Sequence, residues 1–202
     1  MQRAAAPTDG RAARAARTRD AIVDATVALV EEGDVRPTAP RIAARAGVSV
    51  RSVFQHFDDL PALYTAVIDR VSDRLAALVV PVGPDAPLDE RIEALVRHRA
   101  DLLEAMTPYR RAAAVHAPFA PQIRTAVARG TAHLRRELEA TFAPELDPLA
   151  ATTRAEVLDA LVAATAWPAW DGLRTEAGLS VARASAVVAR TVRSLLATAA
   201  RG

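Results

Sequence analysis

The segment Thr38–Phe57 constrains the fold more than any other part of the chain, because two short apolar-periodic stretches flank Gly47-Val48-Ser49. A glycine in that place can take the left-handed conformation that closes a helix, and Ser49 can offer its oxygen to an orphaned N–H at the start of the next. Thr38 is placed to cap the earlier stretch, and Pro40 falls in its first turn, where a missing N–H is tolerated. The spacing therefore predicts a helix to Ala46, a tight turn, and a helix from Val50 to about Phe57. Ile42, Ala43, Ala46, Val48, Val53 and Phe57 form one seam that would fix the two helices at an angle. Opposite that seam the second helix carries Arg51, Ser52, Gln55 and His56, all hydrogen-bonding side chains.

The remainder also reads as helix. Ile22, Ala25, Thr26, Leu29 and Val30 recur at helical spacing near Arg19–Glu32, and Gly33 is placed to end that segment. Asp58 or Asp59 would cap a long helix with apolar positions at Leu60, Leu63, Val67, Val71, Leu75 and Leu78, stopped by Pro81. Amphipathic stretches follow near Leu88–Met106, Tyr109–Val115, Pro121–Phe142, Leu149–Trp167 and Ser180–Ala200, with proline or glycine between them. Hydrophobic residues make up 51% of the chain but aromatics only 4%, so the core must be built of Ala, Val and Leu, as in helix packing rather than sheets. An all-α chain of about nine helices is expected. Residues 1–17 read as a flexible basic arm, 18–57 as a three-helix domain and 58–202 as a larger helical domain.

All 26 basic residues are arginine. Residues 1–57 hold nine Arg against six carboxylates, net +3, whereas residues 58–202 hold 17 against 18, net −1. From Val35 to Phe57, Arg36, Arg41, Arg45 and Arg51 stand without any carboxylate, a pattern that favours a polyanionic partner. The absence of cysteine excludes disulfides, thiol nucleophiles and Cys-type zinc sites. The longest strongly apolar run, Ala160–Trp170, contains Pro168 and is too short to span a bilayer, so no membrane is expected and a cytoplasmic location is the simplest expectation. No P-loop, dinucleotide-binding glycine pattern, nucleophile elbow or paired metal-ligand histidine spacing occurs, so neither a cofactor nor a metal is expected. The strongest enzymatic reading would use His98 with Asp101 on one helical face, and without supporting motifs no catalytic role is assigned.

The run Thr38-Ala-Pro-Arg-Ile-Ala-Ala-Arg-Ala-Gly-Val-Ser-Val-Arg-Ser-Val-Phe-Gln-His-Phe57, continued by Asp58-Asp-Leu-Pro-Ala-Leu-Tyr64, resembles the helix-turn-helix domain of tetracycline-repressor-like (TetR-family) regulators. The resemblance is close over Thr18–Tyr64. Beyond it, only the helix number and the Trp167-Pro-Ala-Trp170 to Leu179-Ser180 junction are similar. It implies a sequence-specific transcriptional regulator, a repressor released from its operator by a small-molecule effector. It also implies that Val50, Arg51, Ser52, Phe54, Gln55 and His56 face DNA, with Thr38 near a phosphate and Ser49 among the contacts. The side-chain chemistry agrees: Arg51 can pair with guanine, Gln55 with adenine, and Ser52, His56 and Thr38 with phosphates. Phe54 stands where the family more often has tyrosine, so one hydroxyl contact is missing. Two alternatives stay open at this level: Phe54 and Val50 can serve packing instead, and Arg11, Arg14, Arg17 and Arg19 can track DNA or only aid solubility.

A single small reading head gains little affinity, so a homodimer on a near-palindromic operator is expected, with half-sites about 34–36 Å apart. Val157 and Leu161 on one late helix, and Val187, Val188 and Leu195 on the last, are the candidate interface, although burial within one chain would satisfy the same periodicity. His98, Met106, Tyr109, His116, Phe119, His133 and Trp167 are candidate pocket residues for an apolar or aromatic effector, with core filling the alternative for each.

Overall fold

The computed structural model describes residues 8–199, and among them there are ten α-helices and no strand, the all-α class read from the sequence. They are α1 (Thr8–Glu31), α2 (Ala39–Ala46), α3 (Val50–His56), α4 (Leu60–Ala76), α5 (Leu88–His116), α6 (Pro121–Thr141), α7 (Ala143–Leu146), α8 (Ala151–Thr165), α9 (Trp167–Asp171) and α10 (Val181–Ala199). A 3-10 turn at Ala117–Phe119 and a π turn at Gly172–Glu176 interrupt the series. Packing divides the chain into two units: the described residues up to Arg74 with Pro108–Arg124, and Leu75–Thr107 with the described residues from Thr125 onward. No described helix is long and apolar enough to cross a membrane.

In the first unit α1, α2 and α3 close on Ile22, Val23, Leu29, Ile42, Ala43, Val53 and Phe57, all buried. Thr26 is buried among them and loses nothing by it, since its hydroxyl donates to the Ile22 carbonyl at 2.8 Å. Leu63, Tyr64, Val67 and Val71 are the buried stripe of α4, and Tyr64 packs with Ala120 and Ile123. Arginines of α4 hold the acidic side of α1: Arg70 pairs with Asp20 at 2.8 Å and with Asp24, and Arg74 lies 3.5 Å from Glu31.

The second unit is built on Ile92, Leu95, Leu103, Leu138, Phe142, Leu146, Leu161, Trp170 and Leu196. Arg91 is buried in it and is fully used: Nε donates to the Ala86 carbonyl at 2.8 Å, Nη1 to the Thr141 carbonyl at 2.7 Å, and the guanidinium forks onto Glu145 at 2.5 and 2.7 Å. Such a bidentate pair fixes orientation as well as distance, and it ties the start of α5 to the end of α6 and to α7.

Several boundaries differ from the sequence reading. The first helix begins at Thr8, so residues 8–17, expected to belong to a flexible arm, are helical; residues 1–7 of that arm lie outside the described residues. Alanine and arginine are strong helix formers, and apolar periodicity cannot register a helix without an apolar face. Pro108 does not separate two helices but lies inside α5, with Leu102, Leu103 and Ala112 buried on either side of it. α4 ends at Ala76, short of Pro81: Leu78 and Val80 are exposed there, and a residue before proline is driven toward extended backbone.

Candidate nucleic-acid interface

Three local devices set the position of α3. Gly47 sits at φ +68, its N–H bonded to Ala44 at 3.3 Å, and Val48 bonds to Ala43 at 3.0 Å, so the orphaned carbonyls of α2 are satisfied in the turn. Ser49 Oγ accepts the Ser52 N–H at 3.0 Å and caps α3, as its place in the sequence suggested. Asp59 rather than Asp58 caps α4, through Oδ1 to the Ala62 N–H at 2.7 Å. Thr38 has the extended backbone of a cap residue but its hydroxyl makes no capping bond. Pro40 removes one N–H that a cap would take, and Thr38 is left exposed with its oxygen uncommitted to the helix.

Val53 and Phe57 are buried against Ile42 and Ala43, with Ala46 and Val48 half-buried, so the expected seam is present. It turns the rest of α3 outward. Arg51 and Gln55 are exposed, Ser52 and His56 half-buried, Val50 is 39% exposed and Phe54 48%. Phe54 lies outside that buried seam, and its ring stands half in solvent.

Charge is distributed differently from the linear sequence. Arg45 is forked onto Glu32, just past the end of α1, at 2.6 and 2.9 Å, which holds the Glu32 carboxyl below its ordinary range, and Arg41 pairs with Asp34 at 2.8 Å. The carboxylate-free stretch is thus half neutralised from outside itself. Arg36 and Arg51 form no ion pair among the described residues. Glu32 and Asp34, which set which arginines remain available, went unnoticed in the sequence, where only their closeness to the arginine run could have pointed to them. Arg19 is no free arm residue either, since its guanidinium lies over the Phe57 ring at 4.8 Å.

The seven pocket candidates are divided between the two units. Tyr109 and His116 belong to the first unit. Tyr109 donates its hydroxyl to Glu31, and burial together with that carboxylate pushes its pKa to about 12; His116 stacks on Tyr64 at 4.3 Å between ring centres. His98, Met106, His133 and Trp167 belong to the second unit, and the Phe119 side chain lies outside the described residues. His133 is exposed, Met106 is half-buried, and Trp167 donates its indole N–H to Thr107 Oγ1 at 3.1 Å. His98 is buried; Nε2 accepts the Val80 N–H at 3.4 Å and lies 3.7 Å from Glu137 Oε1. Arg99, missed in the sequence along with Glu137, is buried and donates to the Thr165 carbonyl at 3.0 Å, while Arg99 Nε and Glu137 Oε1 have no hydrogen-bond partner. A separate open concavity of about 300 Å³, bounded by Arg135, Glu139, Leu149, Arg154 and Leu158, contains none of the expected residues. Among the described residues no cluster of His, Asp or Glu could hold a metal.

Two interface candidates are covered within the chain itself: Leu161 and Val188 are buried where α8 packs on α10. Val157 and Leu195 are half-buried, and Val187 is 41% exposed.

Residues 22–67 match the family model of bacterial regulatory proteins, tetR family. No curated protein sequence matches the chain. Among solved structures, a transcriptional regulator from Rhodococcus sp. Rha1 superposes with a TM-score of 0.67 at 20% identity, over 92% of this chain and 97% of that one. A Mesorhizobium loti MAFF303099 protein assigned to the TetR-family transcriptional regulators gives 0.65 at 20% identity, over 92% and 98%. EbrR, a multidrug binding protein complexed with imidazole, gives 0.58 at 20% identity, over 86% and 93%. These likenesses establish a shared fold.

Proposed function

Since residues 22–67 match the family model of bacterial regulatory proteins, tetR family, we propose that the chain is a regulator of that family, a cytoplasmic homodimeric repressor that binds a near-palindromic operator and leaves it when a small effector binds. The observation that carries the reading is the α3 surface: a buried seam on one side, and Arg51, Phe54 and Gln55 exposed on the other. In this reading Arg51 forks onto guanine and Gln55 onto adenine. Thr38, Ser49, Ser52 and His56 hold phosphates, while Val50 and Phe54 touch thymine methyl or sugar. The 18–57 segment is the reading head, and 58–202 serves effector binding and dimerisation. Val157, Val187 and Leu195 are the interface residues left with surface to share, on α8 and α10.

Release requires only that the effector favour a conformation in which the two heads no longer match adjacent grooves. α4 follows α3 directly through the Asp59 cap, so a shift of α4 is felt by the reading helix. Support for an apolar or aromatic effector comes from EbrR, whose multidrug binding accompanies a similar fold, and from His98, Arg99 and Glu137, which would give such a ligand polar handles within the second unit. The test is selection of bound sequences from random duplexes, followed by titration of the selected complex with hydrophobic and aromatic compounds. Enrichment of paired half-sites and release by at least one compound are expected. Enrichment without release by any compound would make the protein a constitutive binder, and no enrichment would end the proposal.

A further inference from the structure

Arg11 and Arg14 precede Ile22 and Ala25 by eleven residues each, three helical turns to within about 20°. They therefore continue the face by which α1 packs on α2 and α3. Every residue from Gly10 to Arg17 is exposed, so that face runs on past the packed body, with about 16 Å between Arg11 and Ile22 along the helix axis. Were another part of the first unit to cover it, apolar side chains would be expected there; arginines stand in their place.

Among the described residues those arginines have no carboxylate partner. From Asp20 onward the acidic residues of α1 sit elsewhere on the helix and are occupied: Asp20 and Asp24 by Arg70, and Glu31 by Arg74. Arg11, Arg14 and Arg17 form no ion pair among the described residues. Cations near a helix N-terminus also oppose the macrodipole, so they do not stabilise α1. Arg19, stacked on Phe57 just beyond the reading helix, marks where the overhang leaves the reading head.

We propose that the exposed first turns of α1 are a rigid basic overhang whose Arg11 and Arg14 grip backbone phosphates of the duplex outside each half-site. The inference rests on the DNA-binding reading above. The overhang matches a polyanion in charge and is continuous with the reading head. Its length corresponds to about five base pairs at about 3.4 Å each, so flanking phosphates lie within its reach. A guanidinium forks readily onto phosphate oxygens and gains no sequence information by it.

The test compares the full-length protein with its R11A/R14A double variant and with Ala13→Pro on a selected duplex, reading the slope of log Kd against log salt and the length protected from cleavage. Each lost phosphate contact flattens the slope by about 0.9, so a dimer missing two per protomer loses about 3.6, with shorter protection on both flanks and unchanged base preferences. Ala13→Pro keeps both arginines but breaks the helix, and a similar loss is expected. Wild-type slope and protection in the double variant would overturn the proposal. So would wild-type behaviour of Ala13→Pro, which would make the segment a flexible arm, or a loss confined to A·T-rich flanks, which would indicate minor-groove insertion. If the unaltered protein prefers no duplex at all, the DNA-binding reading itself fails, an outcome distinct from a protein that binds specifically with an unchanged slope in the variant.

Discussion

At the scale of single residues, ion pairing separates arginines that look alike in the sequence. Arg51 is unpaired and exposed on α3, while Arg45 is forked onto Glu32. Gln55→Ala should lose about 1–3 kcal/mol at particular base positions, whereas Arg45→Ala should leave base preferences unchanged, both read from competition among duplex variants. Phe54→Ala should weaken binding yet alter stability by less than about 0.5 kcal/mol, because the ring is 48% exposed; a large drop in thermal midpoint would return Phe54 to a packing role. The outward residues of α3 were legible in the sequence because a short helix with a defined seam leaves its remaining positions no other side. The neutralised arginines were not, since their partners Glu32 and Asp34 come from the turn that follows another helix. His98 gives a pH dependence. Burial chiefly holds it below its ordinary 6.5, so on acidification the unfolded chain takes the proton first and stability falls. His116 is shifted the same way by burial. The thermal midpoint should therefore drop between about pH 7 and 5, and His98→Gln, which keeps an acceptor for the Val80 N–H, should flatten that drop.

At the scale of elements, the turn between α2 and α3 fixes the angle of α3. A Cβ on Gly47 would meet nothing within 4 Å, so Gly47→Ala tests backbone strain alone at φ +68. A cost of about 1–2 kcal/mol in denaturant unfolding is expected, with a parallel loss of operator affinity; an unchanged midpoint would mean the turn tolerates other geometries. Elements punctuated by glycine, serine or aspartate were readable because each cap is local: Gly47, Ser49 and Asp59 act on residues within one turn. Elements whose limits depend on distant packing were not. α5 continues through Pro108 with buried residues on both sides, and α1 extends to Thr8 on propensity without an apolar stripe.

At the scale of the whole molecule, two of the residues that helical periodicity offered for an interface, Leu161 and Val188, are already buried within the chain itself. Periodicity reports that a face is covered, not by what. Val187→Glu should accordingly weaken self-association in sedimentation at micromolar concentration while leaving the monomer folded, and dimerisation unaffected by that change would move the interface away from α10. Dimerisation and effector release matter only if the outward face of α3 reads base edges. The most direct measurement is the base preference of the unaltered protein and of Arg51→Ala, determined side by side from randomised duplexes. The account predicts two symmetric half-sites one helical turn apart for the unaltered chain, with preference lost at the same guanine-bearing position in each half-site of the variant. Uniform weakening at every position, or no preference in the unaltered protein, would contradict it.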